Sequence, residues 1–320
     1  MNSESQSNCP SVSVVIPTKN GGDLFKDVLN GLTSQVYSGM IELIVVDSGS
    51  SDQTIYHAQK AGAKVHSIAP ETFNHGLTRN FGISQTTGEV IILMTQDAVP
   101  ADTHLIDSLV AGFNLADNVA GVYAKQIPRS NADVLTCRNL NSWLTARSEV
   151  EVRYLESEAD YDTKSPIEKY FFCNFDNVCS AVSRLAWESL PFEENDFGED
   201  IEWCRRALLG GWKIVYQPQS IVVHSHDRSL AYEYKRTYVC HRKLYQLFNL
   251  RCVPSFKHAV NSIIKATLID WRYVSIHEHR LLQKLRLLLK VPGLSFASVM
   301  GQYHGAKDEL QQQRKEVKGV

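Results

Sequence analysis

No two cysteines stand in a C-x-x-C pair, and the seven present (9, 137, 173, 179, 204, 240, 252) are odd in number and scattered. Neither a thiolate zinc site nor a disulfide framework is expected, and a reducing compartment fits. No run reaches the roughly 18 apolar residues of a spanning helix, the longest clean stretch being Val90 to Met94. The start, MNSESQSNCP, lacks the basic and apolar segments of a secretory leader. The expected location is therefore the cytoplasm. Charge of neither sign dominates: 33 Lys+Arg against 35 Asp+Glu leave a net −2, which is not the footprint of a nucleic-acid partner. Repeats and low-complexity tracts are also missing. What is there is ordinary for a globular chain of 320 residues, with 43% hydrophobic and 21% charged residues, so disordered and fibrous classes are excluded.

Apolar runs and helical spacings alternate along the first third. VSVVIP (12–17) reads as a buried strand closed by Pro17, and residues 23–35 as a helix with Asp23 at its N-cap. IELIVV (41–46) reads as a second strand ending at Asp47. A helix capped by Ser51 or Asp52 and ended by Gly62 follows, then a brief strand at 64–68. A helix near Leu77 to Gln85 leads to a strand from Glu89 to Met94, which emerges at Thr95-Gln96-Asp97. Residues 119–127 and 179–184 read as strands, 198–211 as a helix, and 212–216 and 220–223 as two short strands. Alternation of this kind gives an α/β fold with a mostly parallel sheet covered on both faces. The ligand crevice of such a sheet lies beyond the carboxyl ends of its strands. Pro17-Thr18, Asp47 and Thr95-Gln96-Asp97 each follow a strand, so all should meet at one edge.

The first loop reads PTKNGGDLF, which is neither G-x-G-x-x-G nor a phosphate-cradling G-x-x-x-x-G-K, and no G-x-S-x-G elbow occurs. Dinucleotide-dependent oxidoreductases, P-loop NTPases and α/β-hydrolases fall with them. The loops offer instead Asp47, Asp97, Glu199-Asp200 and His224/His226. An aspartate and a histidine can hold a divalent cation against a departing diphosphate, and a carboxylate at a helix start can take the proton of an incoming hydroxyl. Each residue also has a plainer use: Asp47 and Asp52 as helix or turn caps, Glu199-Asp200 against a helix dipole, Arg79 on a solvated face, Trp143, Tyr170, Phe171 and Phe172 in the core.

VVIPTKNGG, VVDSGSSDQT, TRNFGISQTTGEVIILMTQDAVP and FGEDIEWCRRALLGGW, in that order over roughly 12–226, resemble the successive motifs of family 2 glycosyltransferases with the GT-A fold. FNHGLTRN, MTQDAVP, HSHDRS and a late GQYHG resemble, more narrowly, bacterial rhamnosyltransferases of surface-polysaccharide assembly. The resemblance implies that Pro17 and Thr18 touch the nucleoside, that Asp47 bonds the pyrimidine imide, and that Arg79 lies near the nucleotide. Thr95-Gln96-Asp97 occupies the D-x-D position, with Thr95 in place of the first aspartate and Asp97 as metal ligand. Asp200 of the Glu199-Asp200 pair is the implied base, and His224 the second ligand of Mg²⁺ or Mn²⁺, with His226 competing.

The implied activity is inverting transfer of L-rhamnose from dTDP-L-rhamnose to a hydroxyl of a polysaccharide or lipid-linked glycan, as in O-antigen or capsule assembly. Two alternatives stand beside it: another UDP- or dTDP-sugar donor, and a catalytically silent nucleotide-sugar or glycan binder. The expected organisation is a disordered start (1–11), a GT-A domain (12–230) and a helical basic C-terminal region (231–320). Residues 242–290 carry ten Lys/Arg against Asp270 and Glu278, and RLLQKLRLLLK (280–290) alternates leucines with cations. Such a stretch suits contact with an anionic membrane at its inner face, a solvated surface or an oligomer contact.

Overall fold

The computed structural model describes residues 9–195, 197–226 and 228–318, the last five by backbone alone. Of the expected irregular start, residues 1–8 lie outside the described residues, and Ser11 is bonded through its N–H and hydroxyl to Glu89. In chain order the elements are β1 (Val12–Thr18), α1 (Gly22–Thr33), β2 (Ile41–Asp47), α2 (Thr54–Lys60), β3 (Lys64–Ser67), α3 (His75–Ser84), β4 (Val90–Met94), β5 (Val99–Pro100), α4 (Leu105–Ala111), β6 (Val119–Ile127) and α5 (Val134–Asn141). They continue as β7 (Glu151–Arg153), α6 (Glu158–Asp162), α7 (Pro166–Phe172), β8 (Cys179–Ser183), α8 (Arg184–Ser189), α9 (Glu199–Leu209), β9 (Lys213–Val223), α10 (Leu230–Phe248), α11 (Phe256–His277) and α12 (Leu281–Lys318). These elements form two compact units. One gathers the chain up to Ile127 with 143–161 and 173–224; the other gathers 128–142, 162–172 and the chain from Ser225.

The first unit is one sheet in the order β3-β2-β1-β4-β8-β6-β9-β5, with β7 also on β9. β3, β2, β1 and β4 are parallel, β8 runs against both β4 and β6, and β9 lies parallel to β6. The carboxyl ends of β1, β2, β4, β6 and β9 and the amino end of β8 therefore share one edge. β4 is apolar throughout and β1 is so but for Ser13 and Thr18, because helices cover both faces, and Val14, Ile16, Ile92 and Met94 are fully buried. The β1–β4 ladder stops at Val15↔Leu93, short of Pro17, which has no N–H to give. α3 lies close on the sheet through Gly82, where a Cβ would stand 2.4 Å from Val15 Cγ1.

Several local expectations are corrected. Asp23 lies in the first turn of α1, whose N-cap is Gly21. The N-cap of α2 is Gln53, and Asp52 instead accepts from Thr54 and from the Gly22 N–H, tying the two helix starts together. The strands expected at 212–216 and 220–223 are one, β9, whose register on β6 jumps from Ala124↔Gln217 to Lys125↔Ile221 so that 218–220 bulge out. Arg79 is buried, not on a solvated face, and Trp143 and Phe171 stay exposed.

The second unit is helical. α10 and α12 approach closely because Gly301 and Gly305 leave room: a Cβ would stand 2.1 Å from Thr237 Oγ1 at the first and 2.3 Å from the Tyr238 carbonyl at the second. Leu135 of α5, Val274 of α11 and Leu287 and Val291 of α12 share a small core. Arg138 pairs with Asp270 at 2.6 Å beside it.

Candidate active site

At the β1–β2 end of the shared edge, register sets Thr18 opposite Asp47. Thr18 Oγ1 and Ser50 Oγ donate to Asp47 Oδ2, and the N–H groups of Gly49 and Ser50 donate to Oδ1 at 3.0 and 2.8 Å. The about four lone-pair sites of this carboxylate are thus taken by its own loop and by Thr18 of β1, and Asp47 is 1% exposed. Gln96 clamps Lys19, accepting from its N–H at 2.8 Å and donating to its carbonyl at 3.2 Å. Asn20 and Ser50 cross-link the same loops. Thr95 donates its N–H to Val178, while its buried hydroxyl has no partner among the described residues.

Glu199 and Asp200 open α9 after Gly198, whose positive φ of 73° lets the chain turn into the helix. Arg79 Nη1 meets Glu199 Oε1 at 2.9 Å, with both side chains almost fully enclosed, and also reaches the His75 carbonyl. Asn177 donates through its side chain to Glu199 and through its N–H to Asp200. Burial pushes the Glu199 carboxyl up, but Arg79, His75 and the Asn177 amide outweigh it and hold the group below the usual range. Asp200 goes the other way: burial first, then the negative charges of Glu199 and Asp176, hold its carboxyl well above that range. Two adjacent acids are so split in proton affinity, Glu199 held below and Asp200 above the usual range.

At the β6–β9 end, β5 pairs antiparallel with the end of β9, Val99↔Val223. This short ladder brings Asp97, two residues before Val99, beside His224, one after Val223. His224 Nε2 stands 3.4 Å from Asp97 Oδ2. Its Nδ1 is 2.9 Å from Gln126 Oε1, and Gln126 Nε2 donates to Asp176 Oδ2 at 2.6 Å. A carboxylate oxygen and an imidazole nitrogen are a donor set suited to Mn²⁺ or Mg²⁺, so these residues fit a divalent cation.

Thr18, Asp47, Gln96, Asp97, Glu199, Asp200 and His224 all line the one edge; Arg79 reaches it from α3 through Glu199. His226 lies in the second unit, its ring 5.5 Å from Tyr232. Sequence reasoning passed over Gln126, Asp176 and Asn177. Gln126 stands one residue before the carboxyl end of β6, where the crevice was expected; Asp176 and Asn177 precede β8 and reach the same edge only because β8 is antiparallel, which nothing in the local sequence signals.

Residues 13–159 match Glycosyl transferase family 2. The chain is 33% identical over 230 residues to the O-antigen chain rhamnosyltransferase RfbN of Salmonella typhimurium, spanning 70% of this chain and 69% of that one. To the O-antigen chain rhamnosyltransferase WbaN of Salmonella anatum it is 29% identical over 233 residues, 71% and 70% of the two chains. Among solved structures it is similar to the mannosyltransferase PcManGT from Pyrobaculum calidifontis in complex with GDP-Man and Mn²⁺, with a TM-score of 0.61 and 16% identity over 95% of this chain and 88% of that one. S. aureus TarS 1–349 gives 0.54 and 15% over 95% and 92%. These structural likenesses establish the GT-A fold, and the sequence relatives establish the rest: the chain belongs to the family 2 glycosyltransferases and is a glycosyltransferase.

Proposed function

We propose that the protein transfers L-rhamnose from dTDP-L-rhamnose, with inversion, to a hydroxyl of a polysaccharide or lipid-linked glycan in O-antigen or capsule assembly. The observation that carries the reaction is the split Glu199-Asp200 pair on the same sheet edge as Asp97 and His224. The choice of rhamnose and of an O-antigen-type acceptor is supported by the two Salmonella relatives, each named an O-antigen chain rhamnosyltransferase. Asp200 takes the proton of the acceptor hydroxyl as its oxygen bonds to the anomeric carbon and the bond from that carbon to the diphosphate breaks. Glu199, kept ionised by Arg79, holds the Asp200 carboxyl basic enough for this step. Thr18 and the loop braced by Asp47 receive the nucleoside, so Asp47 acts on it through Gly49 and Ser50. Asp97 and His224 would hold the Mg²⁺ or Mn²⁺; bound there, a divalent cation supplies positive charge against the leaving diphosphate.

No helix among the described residues is long and apolar enough to cross a membrane. A peripheral contact with an anionic lipid surface is supported by exposed Leu281, Leu282, Leu285 and Leu289 at the start of α12 and exposed Val260, Ile264 and Leu268 on α11. Lys257, Lys265 and Arg272 on α11 and Arg286 on α12 are exposed too, as is Arg280 just before α12.

The test is a thermal-shift panel of dTDP-, UDP- and GDP-sugars with Mn²⁺, followed by release of dTDP from dTDP-L-rhamnose. Stabilisation and turnover by dTDP-L-rhamnose above the others is the expected result. Preference for another pyrimidine sugar would reassign the donor, and binding without turnover on any glycan acceptor would favour a silent binder.

A further inference from the structure

The donor set of His224 is built from behind by two residues to which no role has been given. Gln126 stands one residue before the end of β6, Asp176 in the loop before β8, and His224 after β9, so three strands far apart in sequence deliver one hydrogen-bonded line. The line has a direction imposed by chemistry. Asp176 Oδ1 accepts the Val178 N–H at 2.9 Å and Oδ2 accepts from Gln126. An ionised carboxylate has no hydrogen to give, so the Gln126 amide must turn its NH₂ toward Asp176 and its oxygen toward His224. That oxygen only accepts, so His224 carries its hydrogen on Nδ1. In the neutral ring it is then Nε2, 3.4 Å from Asp97 Oδ2, that bears the lone pair. The loop bearing Asp176 is itself fixed to the end of β4, because the Val178 carbonyl accepts the Thr95 N–H at 3.1 Å.

We propose that Gln126 and Asp176 are positioning residues that fix the Nδ1–H tautomer and ring orientation of His224, and thereby set the divalent-cation affinity of the Asp97–His224 pair. The assignment deepens the proposed function and rests on its reading of that pair as cation ligands. Groups that orient a metal-bound imidazole characteristically change affinity by about 10–100-fold when removed.

The experiment titrates Mn²⁺ in the presence of dTDP by calorimetry and reads His224 imidazole ¹⁵N shifts in metal-free protein, with the His224 signals identified by their loss in His224→Gln. Gln126→Leu should weaken Mn²⁺ by about 10–100-fold and convert the Nδ1–H signal to a mixture with the Nε2–H form. Asp176→Asn alone should do the same, since an amide there lets Gln126 turn over. The double change Gln126→Glu with Asp176→Asn should restore both readouts, because the introduced carboxylate accepts from Nδ1–H and the introduced amide donates to that carboxylate; it also serves where Gln126→Leu fails to fold. If the wild type binds Mn²⁺ and folded Gln126→Leu binds within twofold with unchanged ¹⁵N shifts, the positioning role is overturned alone. Failure of the double change to recover affinity also counts against it. A wild type that takes up no Mn²⁺ overturns the cation reading and this role together.

Discussion

Around β1 and β2 the edge of the sheet is cross-linked by short-range bonds between loops some 29 to 31 residues apart, and its buried carboxylate, Asp47, is filled by hydroxyls and N–H groups of those same loops. Around β6, β8 and β9 the bonds span far more chain, 98 residues from Gln126 to His224, and Glu199, Asp200 and Asp176 crowd negative charge that Arg79 relieves only in part. A frame whose polar groups are already satisfied can receive a ligand without rearranging. A cluster with unrelieved charge has the perturbed proton affinities that chemistry needs. The first region is thus suited to binding and the second to turnover, and variants in the two should fail differently.

The largest expected effect lies in the second region. Asp200→Asn should lower turnover by about 10²–10⁴-fold while donor affinity by calorimetry stays near wild type. Near wild-type kcat would remove Asp200 as base, and a deeper loss in Glu199→Gln would move the role one residue. Asp97→Ala or His224→Ala should weaken Mn²⁺-dependent dTDP binding by more than the roughly 10–100-fold ascribed to supporting residues; full activity of the wild type in EDTA would count decisively against a cation.

In the first region Asp47→Ala strips partners from two N–H groups and two hydroxyls. Each group left unsatisfied in a buried site costs about 1–3 kcal/mol, so the thermal midpoint should fall together with dTDP affinity. Unchanged stability with lost nucleobase preference would instead show that Asp47 meets the base itself.

Proton affinity gives a finer comparison. Because the Asp200 carboxyl is held above the usual range, the proposed base is protonated at low pH, and activity should climb with pH through a limb lying above ordinary carboxylates. Glu199→Gln removes the like charge, so the limb should move to lower pH; a limb that does not move would uncouple the pair. For stability the sign at Glu199 is opposite. Its depressed proton affinity stabilises the fold above the ordinary glutamate range, and that contribution is lost as pH falls through the lowered value.

The smallest effect concerns the second unit, where attraction of each basic residue to anionic lipid contributes only about 1 kcal/mol near the surface. Leu285→Ser with Leu289→Ser should reduce co-sedimentation with anionic vesicles and leave dTDP binding intact, and high salt should release the wild type. Indifference of the wild type to such vesicles at low salt would remove the membrane contact.

Much of this was legible in the chain itself. Apolar runs closed by Pro17, Asp47 and Thr95 announce strands that end at a site, because an α/β sheet buries its strands on both faces and exposes only their ends. The motifs around Asp47, Asp97 and Glu199-Asp200 were enough to resemble a family. Local pattern missed where the register departs from regularity, as in the bulge that joins two apparent strands into β9, since nothing in residues 212–223 alone states which neighbour they pair with. It also missed the caps of α1 and α2, where Asp52 serves two helix starts at once instead of capping its own.

What the sequence by itself determined is which residue types stand at strand ends and helix starts, because hydrophobic period and turn chemistry are local. Only the tertiary structure decided which of them act together. Antiparallel insertion of β8 carries Asp176 and Asn177 to the edge, the two-residue β5 sets Asp97 beside His224, and burial with Arg79 set against Glu199 drives the proton affinities of an adjacent pair of acids apart. Strand pairing and burial couple residues a hundred positions apart, and the energies that tune a carboxyl depend on distance and solvent exclusion, neither of which is written in any window of the chain.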